Sequence, residues 1–220
     1  MLKMMREKAK YFYVLFFIII LSFVFWGVGT MDKGKGANYI AQVGHYKISV
    51  PEYWRSYDNM ERFYQDLYKD KFTDAMRKQL KERVLDSMVV NKILLIAARE
   101  NGITVSNEEL NEAIRSEPAF QRDGYFDVNV YRSRLRLSRI SPEEFEASKR
   151  QELLVQKIRR MIELAANIPT EALQKVSGDE KSAEALRRAI TDRAKEEAVK
   201  AYVEAFQKKI KININRDLIS

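Results

Sequence analysis

Few side chains in this chain belong to the types that carry enzyme chemistry. The 220 residues include one histidine, His45, and no cysteine. A thiol nucleophile, a disulfide framework and a cysteine-based zinc site are therefore excluded. The sequence also lacks a glycine-rich phosphate loop and a Gly-x-Ser-x-Gly nucleophile motif. We expect no catalytic centre, no metal and no cofactor.

His45 and two pairs of adjacent acids are the remaining candidates for acid–base chemistry. His45 follows Gly44 between two β-rich runs, which is typical of a turn residue. The pairs Glu108-Glu109 and Glu143-Glu144 fall in the first turns of predicted helices. Helix capping and the helix dipole account for carboxylates there. The pattern indicates a protein that is not an enzyme.

A stripe of aromatic residues lies on a helix predicted from Ser49 to about Lys69. Tyrosine and methionine recur on it at helical spacing, at Tyr53, Tyr57, Met60, Tyr64 and Tyr68. Such a stripe is either a core face or, because tyrosine carries a hydroxyl group, a surface that is apolar yet hydrated. We take these five residues as candidates for binding polypeptide clients, with the core interpretation as the alternative.

Apolar periodicity and capping residues predict a mainly α fold with a small sheet. A hairpin is predicted over Tyr39–Ser49, and the alternating residues 209–215 predict a strand that pairs with it. Three capping boxes are expected, at Ser49–Glu52, Ser106–Glu109 and Ser141–Glu144. After the tyrosine helix, further helices are predicted over about 73–101, 106–115, 128–137, 141–166 and 183–208.

Two other features lie between these helices. The turn-rich segment from Ser116 to Phe126 holds three aromatics, Phe120, Tyr125 and Phe126, which we expect to form a satellite cluster under the loop. On the next helix Arg132, Arg136 and Arg139 share a face. A solvated face is the simpler interpretation of these arginines, and a site for acidic clients or anionic headgroups is the alternative.

An apolar run near the N-terminus predicts a transmembrane helix. Tyr11 to Val28 contains no charged residue, and a helix of that length spans roughly 27 Å, close to the hydrocarbon thickness of a bilayer. A buried core helix and a cleaved signal peptide are the alternatives. The run is longer than the usual signal-peptide core and ends in the bulky Phe25 and Trp26.

The charges flanking this run predict its orientation. Four basic residues and one acid precede it, so the N-terminus should stay in the cytoplasm and the rest should be exported. In a bacterium this means a single-pass protein of the inner membrane with a periplasmic C-terminal domain. The formal net charge is +8. Because an exported domain has little access to nucleic acid, this charge does not indicate a nucleic-acid partner.

Three segments resemble the PpiD and SurA N-terminal chaperone family. They are Val43 to Tyr53 (VGHYKISVPEY), Glu100 to Leu110 (ENGITVSNEEL) and Ser116 to Asp127 (SEPAFQRDGYFD). The resemblance extends over nearly the whole chain. It implies an α-helical chaperone domain in which residues 183–215 complete the fold. Family members usually carry parvulin-type prolyl isomerase domains before that final part, whereas only Pro169 to Ser182 occupies the place here, so the resemblance implies that the isomerase is missing.

The expected organisation is a cytoplasmic tail and anchor over residues 1–30, a linker over 31–38, and a chaperone domain over 39–169. A short connection, 170–182, and a completing helix and strand, 183–220, follow. The expected function is a membrane-anchored holdase that binds unfolded or newly translocated envelope and outer-membrane proteins. Two alternatives stay open. One is an assembly subunit with a fixed partner, such as the Sec translocon or a second copy, and the other is a residual prolyl isomerase.

Overall fold

The computed structural model describes residues 39–174, 176 and 179–219. The unit that begins at Tyr39 is compact and mainly α-helical. The predicted transmembrane helix and the linker lie outside the described residues. Among the residues that the structure does describe, no helix is long and apolar enough to cross a bilayer.

The chain begins with two strands and continues with helices. The strands are β1 (Tyr39–Val43), β2 (Tyr46–Ser49), β3 (Gln121–Arg122), β4 (Tyr125–Phe126) and β5 (Ile212–Ile214). The helices are α1 (Val50–Tyr68), α2 (Asp74–Glu100), α3 (Asn107–Arg115), α4 (Val128–Ser138), α5 (Pro142–Leu164), α6 (Thr170–Gln174) and α7 (Glu180–Gln207). Three single turns of 3-10 helix lie at Lys69–Lys71, Pro118–Phe120 and Arg216–Leu218.

The N-terminal and C-terminal ends of the described unit meet in one antiparallel sheet with the order β2-β1-β5. Ala41 lies opposite Ile214, and Val43 lies opposite Ile212. The prediction that the C-terminal strand pairs with the hairpin is therefore confirmed, within the same chain. The strand is shorter than the alternation suggested, because only residues 212–214 join the ladder.

The turn between β1 and β2 fits closely against α2. Gly44 has φ +58°, and a Cβ atom at this position would lie 3.4 Å from Cδ1 of Ile96. Glycine adopts this left-handed conformation without strain. The Gly44 N–H also donates to the carbonyl oxygen of Lys211 at 2.9 Å. One residue therefore joins the hairpin, the central helix and the approach to β5.

Helix α2 is the centre of the core. It packs against α1, α5, α7 and the sheet. Six consecutive residues, 93–98, are buried although a surface helix would bury only one face. Other elements therefore surround this part of α2 on all sides, while its N-terminal half, Asp74 to Met88, alternates between buried and exposed positions.

Serine side chains begin three of the helices as predicted, but only two of the capping boxes are complete. Ser106 with Glu109 and Ser141 with Glu144 exchange both hydrogen bonds. At α1, the Ser49 hydroxyl accepts from the Glu52 N–H at 3.2 Å, whereas the Glu52 carboxylate lies 3.2 Å from Nζ of Lys92. The third predicted box is therefore half formed, because an ion pair with α2 takes the carboxylate.

Aromatic residues of the segment between α3 and α4 pack as part of the main core rather than as the predicted satellite cluster. The rings of Phe120, Phe126, Tyr131 and Phe145 lie 5.0–5.9 Å apart between neighbouring centroids. Tyr125 is an exception, since it is 80% exposed. It points outward because β3 and β4 form a two-stranded hairpin around Asp123 and Gly124, both with positive φ.

Helix α7 differs from its prediction at its start and on its packing face. It begins at Glu180 rather than 183, because the Asp179 side chain caps it by accepting from the Ser182 N–H at 3.0 Å. The sequence places Leu186 and Phe206 on one apolar line of this helix, and the structure buries Phe206 but leaves Leu186 half exposed. The buried residues of the helix are Ala183 near its start and Val199, Val203 and Phe206 in its C-terminal half.

Candidate functional site

Helices α1 and α2 form an antiparallel hairpin. The contacts between them pair rising residue numbers in α1 with falling numbers in α2, from Glu52 with Lys92 to Glu61 with Arg77. At the closed end the Tyr64 and Phe72 rings lie 6.1 Å apart. The tyrosine stripe therefore follows the hairpin from the sheet to its far end, and its two halves lie in different surroundings.

The base of the hairpin, which we define as Tyr53, Trp54 and Tyr57, belongs to the core. Tyr53 is fully buried and Tyr57 is 5% exposed. The Tyr53 hydroxyl donates to the carbonyl oxygen of Lys81 at 3.0 Å. Burial, followed by the nearby Tyr57 and Glu82, raises the pKa of Tyr53 to about 12. Burial also raises the pKa of Tyr57, whose hydroxyl donates to Glu61 at 3.2 Å.

The far end of the hairpin carries an exposed apolar surface. We call it the tip patch, and it consists of Met60, Phe63, Tyr64, Leu67 and Tyr68. Phe63 and Leu67 are 59% and 60% exposed, and Tyr64 is half-buried. Its ring lies 6.1 Å from Phe63 and 5.6 Å from Tyr68 between centroids. Large apolar side chains therefore lie side by side at the surface, a feature that marks binding sites on soluble domains.

A cavity of about 600 Å³ begins at the tip patch and lies between α1 and α2. Met60, Phe63 and Tyr64 line it from α1, and Leu80, Val84 and Met88 line it from α2. Polar residues, among them Asn59, Arg83 and Asn91, surround the apolar lining. The volume and the apolar lining are those of a site for a few large side chains.

A second cavity of about 500 Å³ continues along α2 toward the sheet. It shares Ser56, Met88 and Asn91 with the first, so the two are adjoining parts of one groove, which we call the α2 groove. Helix α5 forms the opposite wall through a largely polar set of side chains, Ser148, Gln151, Glu152, Val155, Gln156 and Arg159. The groove therefore becomes more polar from the tip patch toward α5.

This arrangement suits binding rather than covalent chemistry. An extended polypeptide could place apolar side chains between Met60 and Val84 while its amides meet Asn91, Gln151 and Gln156. Methionine adapts its shape to different apolar partners, and Met60 and Met88 both line the groove. Both features fit ligands of varied sequence.

The candidate residues from the sequence divide at the middle of α1. Met60 and Tyr64 line the groove, and Tyr68 extends the tip patch. Tyr53 and Tyr57 lie in the core and can act on the groove only by holding α1 in place. Client binding by any of the five stays a prediction.

Sequence reasoning missed Phe63 and the wall provided by α5. Phe63 lies beside the tyrosine line rather than on it, but Met60, Phe63 and Leu67 have i, i+3, i+7 spacing, which could have indicated a second line. The α5 wall is largely polar, and no periodicity marks polar residues that line a groove.

The candidate residues for acid–base chemistry lie on different elements and do not form one site. His45 lies exposed in the β1–β2 turn with its ring 4.1 Å from that of Tyr46. The acids at 108–109 and 143–144 lie in the first turns of α3 and α5. The pKa values of Glu108 and Glu143 lie below the usual range. The larger cause is a hydrogen bond with the backbone, and the smaller cause is a hydrogen bond with the side chain of Ser106 or Ser141, respectively. In the described part of the chain, no three acids, histidines or cysteines group as metal ligands do.

The model of the SurA-like N-terminal domain matches residues 1–159. The chain is 29% identical over 150 residues to the periplasmic chaperone PpiD of Escherichia coli strain K12, which is 66% of this chain and 24% of that protein. It is 24% identical over 175 residues to PpiD of Haemophilus ducreyi, 76% of this chain and 28% of that protein. It is 38% identical over 81 residues to the chaperone SurA of Xanthomonas euvesicatoria, 37% of this chain and 17% of that protein. The chain thus matches about a quarter of the length of its PpiD relatives.

Proposed function

Since the chain belongs to the family of SurA-like N-terminal domains, we propose that it is a periplasmic chaperone that holds unfolded polypeptides in the α2 groove. The relatives named PpiD and SurA are chaperones, and the PpiD proteins are periplasmic. The clients are unfolded or newly translocated envelope proteins, including those of the outer membrane. Binding needs no nucleotide and forms no covalent bond.

The observation that carries this proposal is the groove with the tip patch at its mouth. In the patch, large apolar side chains are exposed to water. Adjoining exposed apolar side chains of this kind mark a surface that binds a partner. The groove that follows has apolar and polar parts, as a polypeptide with apolar side chains and a polar backbone requires. Weak contacts of this kind allow release without an energy source.

We further propose that residues 11–28 anchor the chaperone in the inner membrane, with the N-terminus in the cytoplasm. The support is the apolar run and the basic residues before it. An anchored holdase would meet polypeptides as they emerge from the translocon, and a contact with the Sec translocon or a second copy is compatible with this placement.

We propose that the chain has no prolyl isomerase activity. The segment from the end of α5 to the start of α7, residues 165–179, is far shorter than the 50 or so residues of the smallest usual domains. The short helix α6 lies within it. The matched family model is that of the chaperone domain.

The proposal is tested by aggregation of an unfolded outer-membrane protein in the presence of the fragment that begins at residue 34. This fragment includes the compact unit with its paired terminal strands. We expect suppression of aggregation, with no acceleration of cis–trans exchange in a proline peptide by the same preparation. Absence of suppression would contradict the holdase proposal and leave the fixed-partner alternative. Accelerated exchange would contradict the proposed absence of isomerase activity.

A matched pair of variants then locates the activity. Met60→Ser with Phe63→Ser removes two exposed apolar side chains from the groove, and Leu164→Ser with Leu186→Ser removes two exposed ones elsewhere. We expect the groove pair to raise the concentration needed for half-suppression about tenfold, since a loss of about 1.4 kcal/mol of apolar contact has that effect. Equal effects of the two pairs would contradict the assignment to the groove.

A further inference from the structure

Helix α4 presents a concentration of positive charge that the rest of the domain does not neutralise. Residues 128–139 contain four arginines, Arg132, Arg134, Arg136 and Arg139, and no acid. All four are exposed. Within the described residues their guanidinium groups make neither a hydrogen bond nor an ion pair, whereas Arg122 nearby lies 3.1 Å from Asp127. The four charges are therefore available to a partner.

Exposed apolar side chains lie in the same region. Tyr125 and Leu137 are 80% and 79% exposed, the highest values among the large apolar residues of the described chain. Val128, in the first turn of α4, is 45% exposed. Solvent-exposed arginines alone would be an ordinary solvated face. The presence of the two most exposed large apolar side chains beside them is not explained by solvation.

Helical geometry places Arg136 and Leu137 on the outer side of α4. Tyr131 and Leu135 face the core. At about 100° per residue, Arg136 and Leu137 point away from them, with Arg132 and Arg134 on the two flanks. The helix is about 16 Å long, and Tyr125 lies just before its start while Leu137 lies at its end. The outer face of a single helix is convex.

We propose that this face, Tyr125 to Arg139, docks on a bilayer that contains anionic lipids. The arginines would contact the lipid phosphates, and Tyr125 and Leu137 would enter the interface between headgroups and acyl chains. Basic residues beside exposed apolar ones are the composition of surface-bound helices. A convex face fits a flat membrane better than it fits a peptide, which binds in a groove. The proposal does not depend on client binding in the α2 groove.

Acidic residues near α4 limit the orientations in which its outer face can contact the membrane surface. Asp123 and Asp127 precede the helix. Glu143 and Glu146 on α5 lie near Tyr131. Burial raises the pKa of the Tyr131 hydroxyl, and these two acids raise it further. They lie at the start of α4 and on its inner side. The unopposed charge is therefore greatest at the C-terminal half of α4, around Arg134, Arg136 and Leu137.

The test uses the full chain incorporated into vesicles. Because the chain has no cysteine, Asn129→Cys gives a single labelling site on the exposed side of α4. It is labelled with a fluorophore that reports the polarity around it. We compare vesicles of phosphatidylcholine alone with vesicles in which a third of the lipid is phosphatidylglycerol. We expect blue-shifted emission, and quenching by brominated acyl chains, only with the anionic lipid.

Two triple variants separate docking from general attraction between charges. Arg132→Gln, Arg134→Gln and Arg136→Gln remove three charges from α4, and Lys181→Gln, Lys200→Gln and Lys208→Gln remove three exposed charges from α7 and its cap. Each arginine near an anionic surface changes the docked-to-free ratio about fivefold. The α4 triple should therefore lower the ratio on the order of a hundredfold and abolish the shift, and the lysine triple should keep it. Tyr125→Ser with Leu137→Ser should reduce the quenching.

Three results would overturn the proposal. The first is equal emission in the two kinds of vesicle. The second is an equal loss of the shift in both triple variants, which would indicate attraction without a docked face. The third is a shift that occurs only when an acidic unfolded polypeptide is added, which would assign the arginines to an acidic protein instead.

Discussion

The base and the tip of the α1–α2 hairpin carry the same kind of side chain and do different things. Tyr53 and Tyr57 at the base are covered by α2 and the sheet, and their hydroxyls are satisfied by Lys81 and Glu61. Beyond Tyr57 the same helix leaves Met60, Phe63 and Leu67 exposed. The difference shows that a regular aromatic stripe can begin as core and end as surface within one helix.

Substitutions at the base of the α1–α2 hairpin should have the largest effect on the free energy of unfolding. Tyr53→Ala removes a fully buried ring and should lower the free energy of unfolding by about 3–5 kcal/mol. Tyr53→Phe keeps the ring and loses only the hydrogen bond to Lys81, so about 1 kcal/mol is expected. Urea unfolding of the fragment from residue 34 measures both. A loss for Tyr53→Ala no larger than for Tyr53→Phe would place Tyr53 outside the core.

A second prediction uses the pKa of the same residue. The folded pKa of about 12 lies above the ordinary value of 10, so the folded state retains the proton where the unfolded chain loses it. This contribution to stability is complete below pH 10 and is lost as the pH rises to 12. At about 1.4 kcal/mol per pKa unit, the loss is on the order of 3 kcal/mol.

Tyr53→Phe is the control for this pH dependence. Apart from Tyr57, which interacts with Tyr53, the other ionisable groups are present in both proteins, and their contribution largely cancels in the comparison. Wild type should therefore be more stable than Tyr53→Phe by about 1 kcal/mol at pH 9, and this difference should fall and change sign by pH 12. A constant difference over that range would show that the hydroxyl group titrates normally in the folded state.

At the tip, removal of the ion pair that joins the two helices should have a smaller effect on the free energy of unfolding. Nε of Arg77 lies 3.1 Å from Glu61, and the side chains are 40% and 23% exposed. Arg77 also lies over the Phe72 ring, 4.9 Å from its centroid. Arg77→Ala should cost about 1 kcal/mol or less, and 0.5 M salt should reduce this cost. A cost above 2 kcal/mol would indicate that the tip is as tightly packed as the base.

The smallest effect on stability should come from the tip patch itself. Phe63 is 59% exposed, so Phe63→Ser should change the free energy of unfolding by no more than about 0.5 kcal/mol. The same denaturation curves measure it. A loss comparable to that of Tyr53→Ala would remove the distinction between base and tip and, with it, the reason to regard Phe63 as kept for binding.

Local signals in the sequence were sufficient for most of the fold. Serine caps and prolines placed the starts of α1, α3 and α5, and strict alternation identified the C-terminal strand. Two further signals in the sequence identify element boundaries that apolar periodicity does not. Asp123-Gly124 is a hairpin dipeptide that produces β3 and β4, and Asp179 is a cap that starts α7 three residues earlier than predicted.

The site could be predicted only in part, because it depends on which elements lie opposite each other. Periodicity placed Met60 and Tyr64 on one face with Tyr53, but it carries no information on where the sheet ends. The groove wall formed by Gln151, Gln156 and Arg159 comes from α5, about 90 residues later in the chain. Such a contact is a property of the tertiary packing.

The most direct test of the chaperone account is photo-crosslinking to an unfolded envelope protein. A photoreactive phenylalanine analogue is placed at Phe63 in the groove or, as control, at Leu186 on α7, both half exposed or more. We expect crosslinks to many sites of the client from position 63, few from position 186, and competition by a second unfolded protein. Equal crosslinking from the two positions would contradict it.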